Sequence, residues 1–212
     1  MALFQLDPQS IAARIRASGD ATPVPTLAAS VFRGLFGFTL VSVAGFSPWA
    51  IFEQWFHSMR EMDLYVACLA VLVGLSGVFL HRLIIGPGSM PRFYKLFSLA
   101  FAAYAIVWVA FWIWLRDESQ MAGVLGGTAA MGAILAFAFD AQRSIVKIIA
   151  SLFIPHALGY WAGGWFEGHL AIHHRLAGMM LWAVCYGIGL GAGLGLAFHL
   201  CQQRARAILH TR

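Results

Sequence analysis

His156 is the residue whose type and position most clearly suggest chemistry in this chain. It follows Pro155 near the middle of a long apolar run, and a proline there leaves a carbonyl one turn earlier without its helical hydrogen bond. An ionisable side chain deep in an apolar segment is costly and is a functional candidate by default. Two interpretations stay open: a site that binds a ligand, and a neutral imidazole hydrogen-bonded to the freed carbonyl or to a neighbouring helix.

A second set of side chains has the types that bind transition metals. Its members follow the first and fifth apolar runs and are Glu53, His57, Glu167, His169 and His173. If residues 161–175 are helical, His169 and His173 lie one turn apart on one face, as two nitrogen ligands of a metal require. A tetrahedral site needs at least three ligands that converge. The alternative is that these histidines lie in a wet loop, where they cost nothing.

All eight tryptophans lie on the same side of the apolar runs as these histidines; they are Trp49, Trp55, Trp108, Trp112, Trp114, Trp161, Trp165 and Trp182. Tryptophan is expected at membrane interfaces, but a plain belt would occupy both of them. Trp182 also lies about 12 Å into its run, which is deep for a belt. The distribution therefore predicts a ligand-binding cavity on this side. Its predicted lining is His156, Trp112, Trp161, Trp165 and Trp182.

The elements that carry these residues are predicted to be membrane-spanning helices. With 60% hydrophobic and 11% charged residues, the chain is far more apolar than a soluble domain, in which about a quarter of residues are charged. Long apolar runs favour helices over a barrel, whose strands alternate over about ten residues. We predict an all-α polytopic membrane protein, a bundle of six transmembrane helices. The predicted spans are residues 29–52, 62–82, 94–115, 120–140, 144–166 and 174–200.

The distribution of positive charge predicts the orientation of the spans. Eleven of the fourteen Lys and Arg residues fall on the side of the two termini, which the positive-inside rule assigns to the cytoplasm. We expect a multi-pass protein of a bacterial-type inner membrane, with both termini cytoplasmic and the lipid bilayer as its surroundings. Because this topology explains the net charge of +5, nucleic acid is not expected as a partner.

Three parts are predicted along the chain: an N-terminal cytoplasmic interfacial helix with a linker, the six-helix transmembrane domain and a basic cytoplasmic tail, at residues 1–28, 29–200 and 201–212. The first helix has recognisable ends. Asp7 can cap it, Pro8 fits its first turn and Gly19 can terminate it.

Five glycines alternate with other residues in the sixth span. At helical spacing Gly187, Gly191 and Gly195 form one flat face, and Gly189 and Gly193 form another. Helices can pack very closely on such faces. Similar pairs occur in spans four and five, at Gly123 with Gly127 and at Gly159 with Gly163. The glycine-rich sixth span could also dock the chain against a second copy or a larger membrane complex.

Two families of metal and haem proteins can be tested against the histidines. The pattern His169-x-x-x-His173-His174 resembles a single histidine box of the membrane desaturases and hydroxylases, which hold two irons with several boxes. Only one box is present, on the side away from the cytoplasm, so this family is rejected. Two stacked haems are also rejected. Their ligands on one helix would lie roughly 20 Å apart, whereas His173 and His199 are 26 residues apart, which is about 39 Å of helix. A single haem on His156 stays open.

The sequence predicts the place of a site better than its reaction. The leading expectation is a permease-like or solute-binding protein with an outward-facing cavity for a small amphipathic molecule or a metal ion. One alternative is a haem- or metal-binding subunit of a membrane redox complex, and another is a structural subunit of a membrane assembly. The sequence offers no complete catalytic set and no nucleophile with a matching base, so an enzyme is not the leading expectation, and one that acts on lipid at the outer leaflet stays open.

Overall fold

Seven α-helices make up most of the chain in the computed structural model, which describes residues 3–19, 24–52, 61–115 and 119–211. They are α1 (Pro8–Ser18), α2 (Leu27–Phe52), α3 (Glu61–Leu80), α4 (Ser89–Leu115), α5 (Ser119–Ala138), α6 (Ile145–Cys201) and α7 (Gln203–His210). Short 3-10 turns lie at Leu3–Gln5, His81–Leu83 and Gln142–Ser144. No strand occurs in these ranges, so the predicted all-α class is confirmed for them.

Within the described residues, six helical segments are long and apolar enough to cross a membrane, as predicted. They are called spans 1 to 6: Leu27–Ile51, Val66–Leu83, Ser89–Leu115, Gln120–Ala138, Gln142–Leu170 and His174–Cys201. Helices α1 and α7 pack against each other at one end of the bundle, where Arg16 donates a hydrogen bond to the Ile208 carbonyl. This end is called the terminal end, and the other the distal end. The region predicted as a tail is therefore helical.

The residue range of α6 covers two antiparallel helical spans that join at His174. Its backbone departs from helical geometry at His174, with φ −142° and ψ 67°. Beyond this point the chain returns along span 5, so that Gly193 lies against Leu152. Pro155 lies inside the first arm, where α6 continues with helical dihedral angles.

Helix α1 begins and ends as its sequence predicts. The Asp7 carboxylate accepts a hydrogen bond of 3.0 Å from the backbone N–H of Ser10, Pro8 occupies the first turn, and Gly19 ends the helix with φ 61°. Burial acts to raise the pKa of the Asp7 carboxyl, but its hydrogen bonds outweigh burial and the pKa lies below its usual value. Ile11, on the apolar face of α1, is buried in the main core.

Span 6 packs on two neighbours through its glycine faces. Gly191 and Gly195 lie against span 1, and a Cβ added to Gly191 would stand 2.5 Å from the carbonyl oxygen of Gly34. On the other face, a Cβ added to Gly189 would stand 2.5 Å from the carbonyl oxygen of Pro155 in span 5. Both predicted faces are confirmed as sites of close packing inside the chain. An oligomer formed through span 6 stays a prediction.

A series of aromatic rings fixes the buried face of span 3. Phe93, Phe97 and Phe101 stack with centroid distances of 5.1 and 5.2 Å, and Tyr104 continues the series at 5.7 Å. Phe38 of span 1 packs against the rings of Phe97 and Phe101. Because such ring contacts prefer defined geometries, the series also fixes the direction in which Tyr104 points.

Gln202 connects the end of span 6 to the turn after span 2. Its side chain is 1% exposed. The amide oxygen accepts a hydrogen bond of 2.9 Å from the N–H of Ile85, and the amide nitrogen donates to the carbonyls of Leu83 and Phe198, both at 2.8 Å. This side chain supplies the partners that the buried backbone of the turn would otherwise lack.

The contact of span 6 with span 1 can be tested with Gly191→Ala. The added methyl group meets backbone atoms that have no rotamer to change, so we expect a loss of about 1–3 kcal/mol in the free energy of unfolding. Unfolding in mixed micelles with increasing denaturing detergent measures it. Gly74→Ala is the matched control, because a Cβ there has no neighbour within 4 Å and alanine is the better helix former. Equal effects at the two positions would contradict the packing.

The role of Gln202 can be tested with Gln202→Leu. This change leaves buried backbone groups unpaired, so we expect a loss of about 1–3 kcal/mol in the free energy of unfolding, measured in the same way. Gln203→Leu is the control, since Gln203 is exposed one residue further along. If both variants unfold like the wild type, Gln202 does not hold the turn.

Candidate functional site

Span 5 places His156 in the core of the bundle with its side chain fully buried. Its Nε2 atom lies 2.8 Å from the hydroxyl of Tyr104 on span 3. The other ring nitrogen, Nδ1, is buried and has no hydrogen-bond partner in the part of the chain that the structure describes. The imidazole is therefore held by a side chain of another span, and half of its hydrogen-bonding capacity is unused.

Aromatic rings of spans 5 and 6 enclose the same imidazole. Tyr186 and Tyr160 meet it edge to face, with centroid distances of 5.1 and 6.1 Å. Trp182 stacks on Tyr186 at 5.1 Å and meets Tyr160 edge to face at 5.8 Å. We call His156 with Tyr104, Tyr160, Tyr186 and Trp182 the histidine cluster.

In either tautomer, Nδ1 of His156 is left with an unsatisfied hydrogen-bonding group. If Tyr104 donates to Nε2, then Nδ1 carries an unpaired N–H; if Nε2 donates, then Nδ1 presents an unpaired lone pair. Leaving such a group buried without a partner costs about 1–3 kcal/mol. A small molecule that supplies one hydrogen bond would remove this cost, and the surrounding rings would stack on its planar part.

The hydrogen bond between His156 and Tyr104 joins two tightly packed parts of the bundle. In the first part, spans 1, 5 and 6 approach each other through glycines. In the second, spans 3 and 4 do so, because Gly123 and Gly127 of span 4 lie against Trp108 and Tyr104 of span 3. The histidine cluster therefore lies where the two parts meet.

The four tryptophans predicted to line a cavity have different surroundings. Trp182 belongs to the histidine cluster and also meets Phe46 of span 1 at 5.0 Å. Trp112, Trp161 and Trp165 lie on the outer surface of the bundle, where they are 47%, 66% and 50% exposed. Their exposure is that of an interfacial belt, and the structure does not bring these three rings to His156.

The predicted metal ligands are only partly within the described residues. Glu53 and His57 lie outside them, as does the side chain of His173. His169 is exposed; its Nδ1–H donates a hydrogen bond of 2.7 Å to the carbonyl of Trp165, and its ring stacks on that indole. In the part of the chain that is described, no three His, Cys, Asp or Glu side chains converge as a metal site would require. The helical form of residues 161–170 agrees with the predicted segment.

The surroundings of His156 also bear on the single haem that the sequence left open. Tyr104 occupies Nε2, and three tyrosine rings pack around the imidazole at 5.1 to 6.1 Å. A porphyrin plane would have to replace these rings to reach either nitrogen.

The tyrosines are the part of this site that sequence analysis missed. Tyr160 follows His156 by one helical turn, and Tyr186 follows Trp182 by one turn, so their common faces could have been found from spacing. Tyr104 gives a weaker signal, since only the need of a buried hydroxyl for a partner points to it. One turn beyond it lies Trp108, whose Nε1 is also buried without a partner.

Comparison with protein families, with curated proteins and with solved structures finds no match to this chain. Function is therefore argued from the histidine cluster and the packing around it.

The link between His156 and Tyr104 can be tested with a double-mutant cycle. Tyr104→Phe and His156→Phe each leave one buried polar group without its partner, so each should lower the free energy of unfolding by roughly 1–3 kcal/mol. The double variant should lose clearly less than the sum of the two, because it removes both polar groups. Tyr94→Phe is the control on the same helix, as its hydroxyl bonds the Gly74 carbonyl at an exposed position. Additive losses would show that the contact carries no coupling.

Proposed function

We propose that this chain is a permease-like or solute-binding protein of the inner membrane. The single observation that supports the proposal is the fully buried imidazole of His156, with one nitrogen held by Tyr104 and the other without a partner. Polar groups of this kind within membrane spans are costly and are typical of substrate pathways. In this proposal, the solute forms a hydrogen bond with Nδ1 of His156.

The solute that fits this site is small, neutral and amphipathic. Its planar part stacks among Tyr160, Tyr186 and Trp182, and one amide or hydroxyl group bonds Nδ1 of His156. A charged solute fits less well, because burial of an uncompensated charge is expensive and the rings that surround His156 carry no charge. A metal ion at the distal end stays an expectation for residues outside the described ranges.

Access to the site follows from its position between the two packed parts. Separation of the spans 3 and 4 pair from spans 1, 5 and 6 at the distal end would break the hydrogen bond between Tyr104 and His156 and expose the cluster. Small movements between rigid units commonly open such sites. His156 is fully buried in this structure, and we assign this arrangement to the occluded state of the proposed cycle.

The proposed orientation places both termini in the cytoplasm and the histidine cluster in reach of the outer side. In the sequence, eleven of the fourteen Lys and Arg residues fall on the side of the two termini, which favours this orientation. The exposed tryptophans of the distal end then lie at the outer interface, where their rings are buried in lipid and their N–H groups stay wet.

Binding can be tested with three solutes of similar size: benzamide, toluene and benzoate. Purified protein in lipid nanodiscs is heated with each of them while tryptophan emission is followed. We expect benzamide to raise the unfolding temperature in a saturable way, because a ligand that binds only the folded state stabilises it by mass action. Toluene lacks the hydrogen bond, and benzoate carries a charge, so both should act weakly.

The double variant His156→Phe with Tyr104→Phe is the control for this experiment. It keeps rings of similar volume at both positions and removes the polar atoms. The response to benzamide should disappear in it, while Tyr94→Phe responds like the wild type. If benzamide has no effect on the wild type, or stabilises the double variant equally, the proposed role of His156 is wrong.

A further inference from the structure

Arg206 of α7 is a buried cation at the terminal end. Its side chain is 8% exposed, and Nη1 donates a hydrogen bond to the carbonyl of Pro25, just before span 1. Its other two nitrogens, Nε and Nη2, are buried and have no hydrogen-bond partner among the described residues. Burial lowers the pKa of this guanidinium, as expected where a cation has lost water without gaining an anion.

The two unpaired nitrogens lie on the same edge of the guanidinium. The Nε–H and one Nη2–H bond are parallel there, and they form the fork that binds carboxylate or phosphate with two hydrogen bonds. The bond from Nη1 to Pro25 fixes the orientation of the plane. The Nε and Nη2 edge of Arg206 is thus held in one orientation. Because a buried cation without an anion is strongly unfavourable, this edge favours the binding of an anion.

A helix terminus beside Arg206 also favours an anion. Span 1 begins two residues after Pro25, and the Thr26 hydroxyl accepts a hydrogen bond from the N–H of Ala29 in its first turn. The positive end of that helix dipole therefore lies beside the Pro25 carbonyl that holds Arg206.

The described carboxylates of the terminal end are engaged elsewhere. Asp140 pairs with Arg204 at 3.4 Å, and Asp7 caps α1. Asp20, a further carboxylate that precedes span 1 in the sequence, lies outside the described residues. Asp20 therefore enters the experiment as the internal alternative to a bound anion.

We propose that the Nε and Nη2 edge of Arg206 binds a phosphate oxyanion at the terminal end. The phosphate is that of an anionic phospholipid or free inorganic phosphate; both offer the same paired oxygens. One phosphate oxygen accepts a hydrogen bond from Nε and another accepts one from Nη2. Since the edge is covered in this structure, the anion enters by a local displacement of α7. This site is separate from the histidine cluster and does not depend on its function.

The source of the phosphate can be identified with the full-length wild-type protein. After delipidation in a mild detergent, its unfolding temperature is measured with added phosphatidylglycerol, with phosphatidylcholine and with inorganic phosphate against chloride at equal ionic strength. A lipid site gives stabilisation by phosphatidylglycerol well beyond phosphatidylcholine, with the anionic lipid retained in native mass spectra. A site for free phosphate gives saturable stabilisation by the inorganic ion. Absence of both effects overturns the proposal.

Variants then test whether Arg206 carries the effect. Arg206→Gln removes the charge and the fork, so the affinity for the phosphate ligand should fall roughly tenfold or more. Arg206→Lys keeps the charge but not the paired hydrogen bonds and should bind with intermediate affinity, which covers the case in which the glutamine variant does not fold. Arg204→Gln, on the exposed side of α7, is the matched control and should bind like the wild type.

Asp20→Asn separates a bound phosphate from an internal ion pair. If phosphate is the partner, this variant keeps the wild-type stability and binds the ligand at least as tightly. If Asp20 is the counter-ion of Arg206, the variant is destabilised to the same extent as Arg206→Gln and the two changes are not additive. That second outcome overturns the proposal.

Discussion

The approach of span 6 to spans 1 and 5 through backbone atoms is the constraint on which the rest of this structure depends. Lipid tails are as apolar as leucine, so helices in a membrane associate through close packing and hydrogen bonds, with no gain from leaving water. Glycines allow that packing, because Gly191 meets Gly34 and Gly189 meets Pro155 with no side chain between them. This contact fixes the three spans relative to each other.

The position of the polar side chains follows from this packing. Because Pro155 lies against Gly189, the next residue, His156, is held beside Tyr186, which precedes Gly189 by less than one turn. The imidazole then faces span 3, whose stacked rings direct Tyr104 towards it. An ionisable group is thus placed by backbone contacts on one side and by aromatic contacts on the other. Neither set of contacts requires both nitrogens of the imidazole to be hydrogen-bonded.

Features with a local cause could be predicted from the sequence. The spans follow from the length of the apolar runs, the ends of α1 from Asp7 and Gly19, and the glycine faces from the spacing of residues on one helix. Convergence of different spans could not be predicted in this way. Tyr104 is 52 residues from His156 in sequence, and no periodicity within span 3 indicates which ring of span 5 it meets.

The tryptophans show the same limit of prediction from sequence. Their position along the spans was evident from the sequence, but their direction around each helix was not. Trp182 turns inward because it lies on the face of span 6 that carries Tyr186, whereas Trp161 and Trp165 lie outward on span 5. Of the four tryptophans predicted to line a cavity, Trp182 therefore belongs to the histidine cluster, whereas the other three lie exposed on the outer surface of the bundle.

The contrast between Gln202 and two of the unpaired groups supports the proposals made for His156 and Arg206. Gln202 is as buried as His156, and three hydrogen bonds use its amide on both atoms. The fold can therefore satisfy a buried polar side chain completely where the role of that side chain is structural. His156 at the core and Arg206 at the terminal end are each held by one hydrogen bond that orients the side chain and leaves its remaining polar atoms unpaired. A buried polar atom that lacks a hydrogen bond lowers the stability of the protein without ligand. A ligand that supplies the missing hydrogen bond restores that stability.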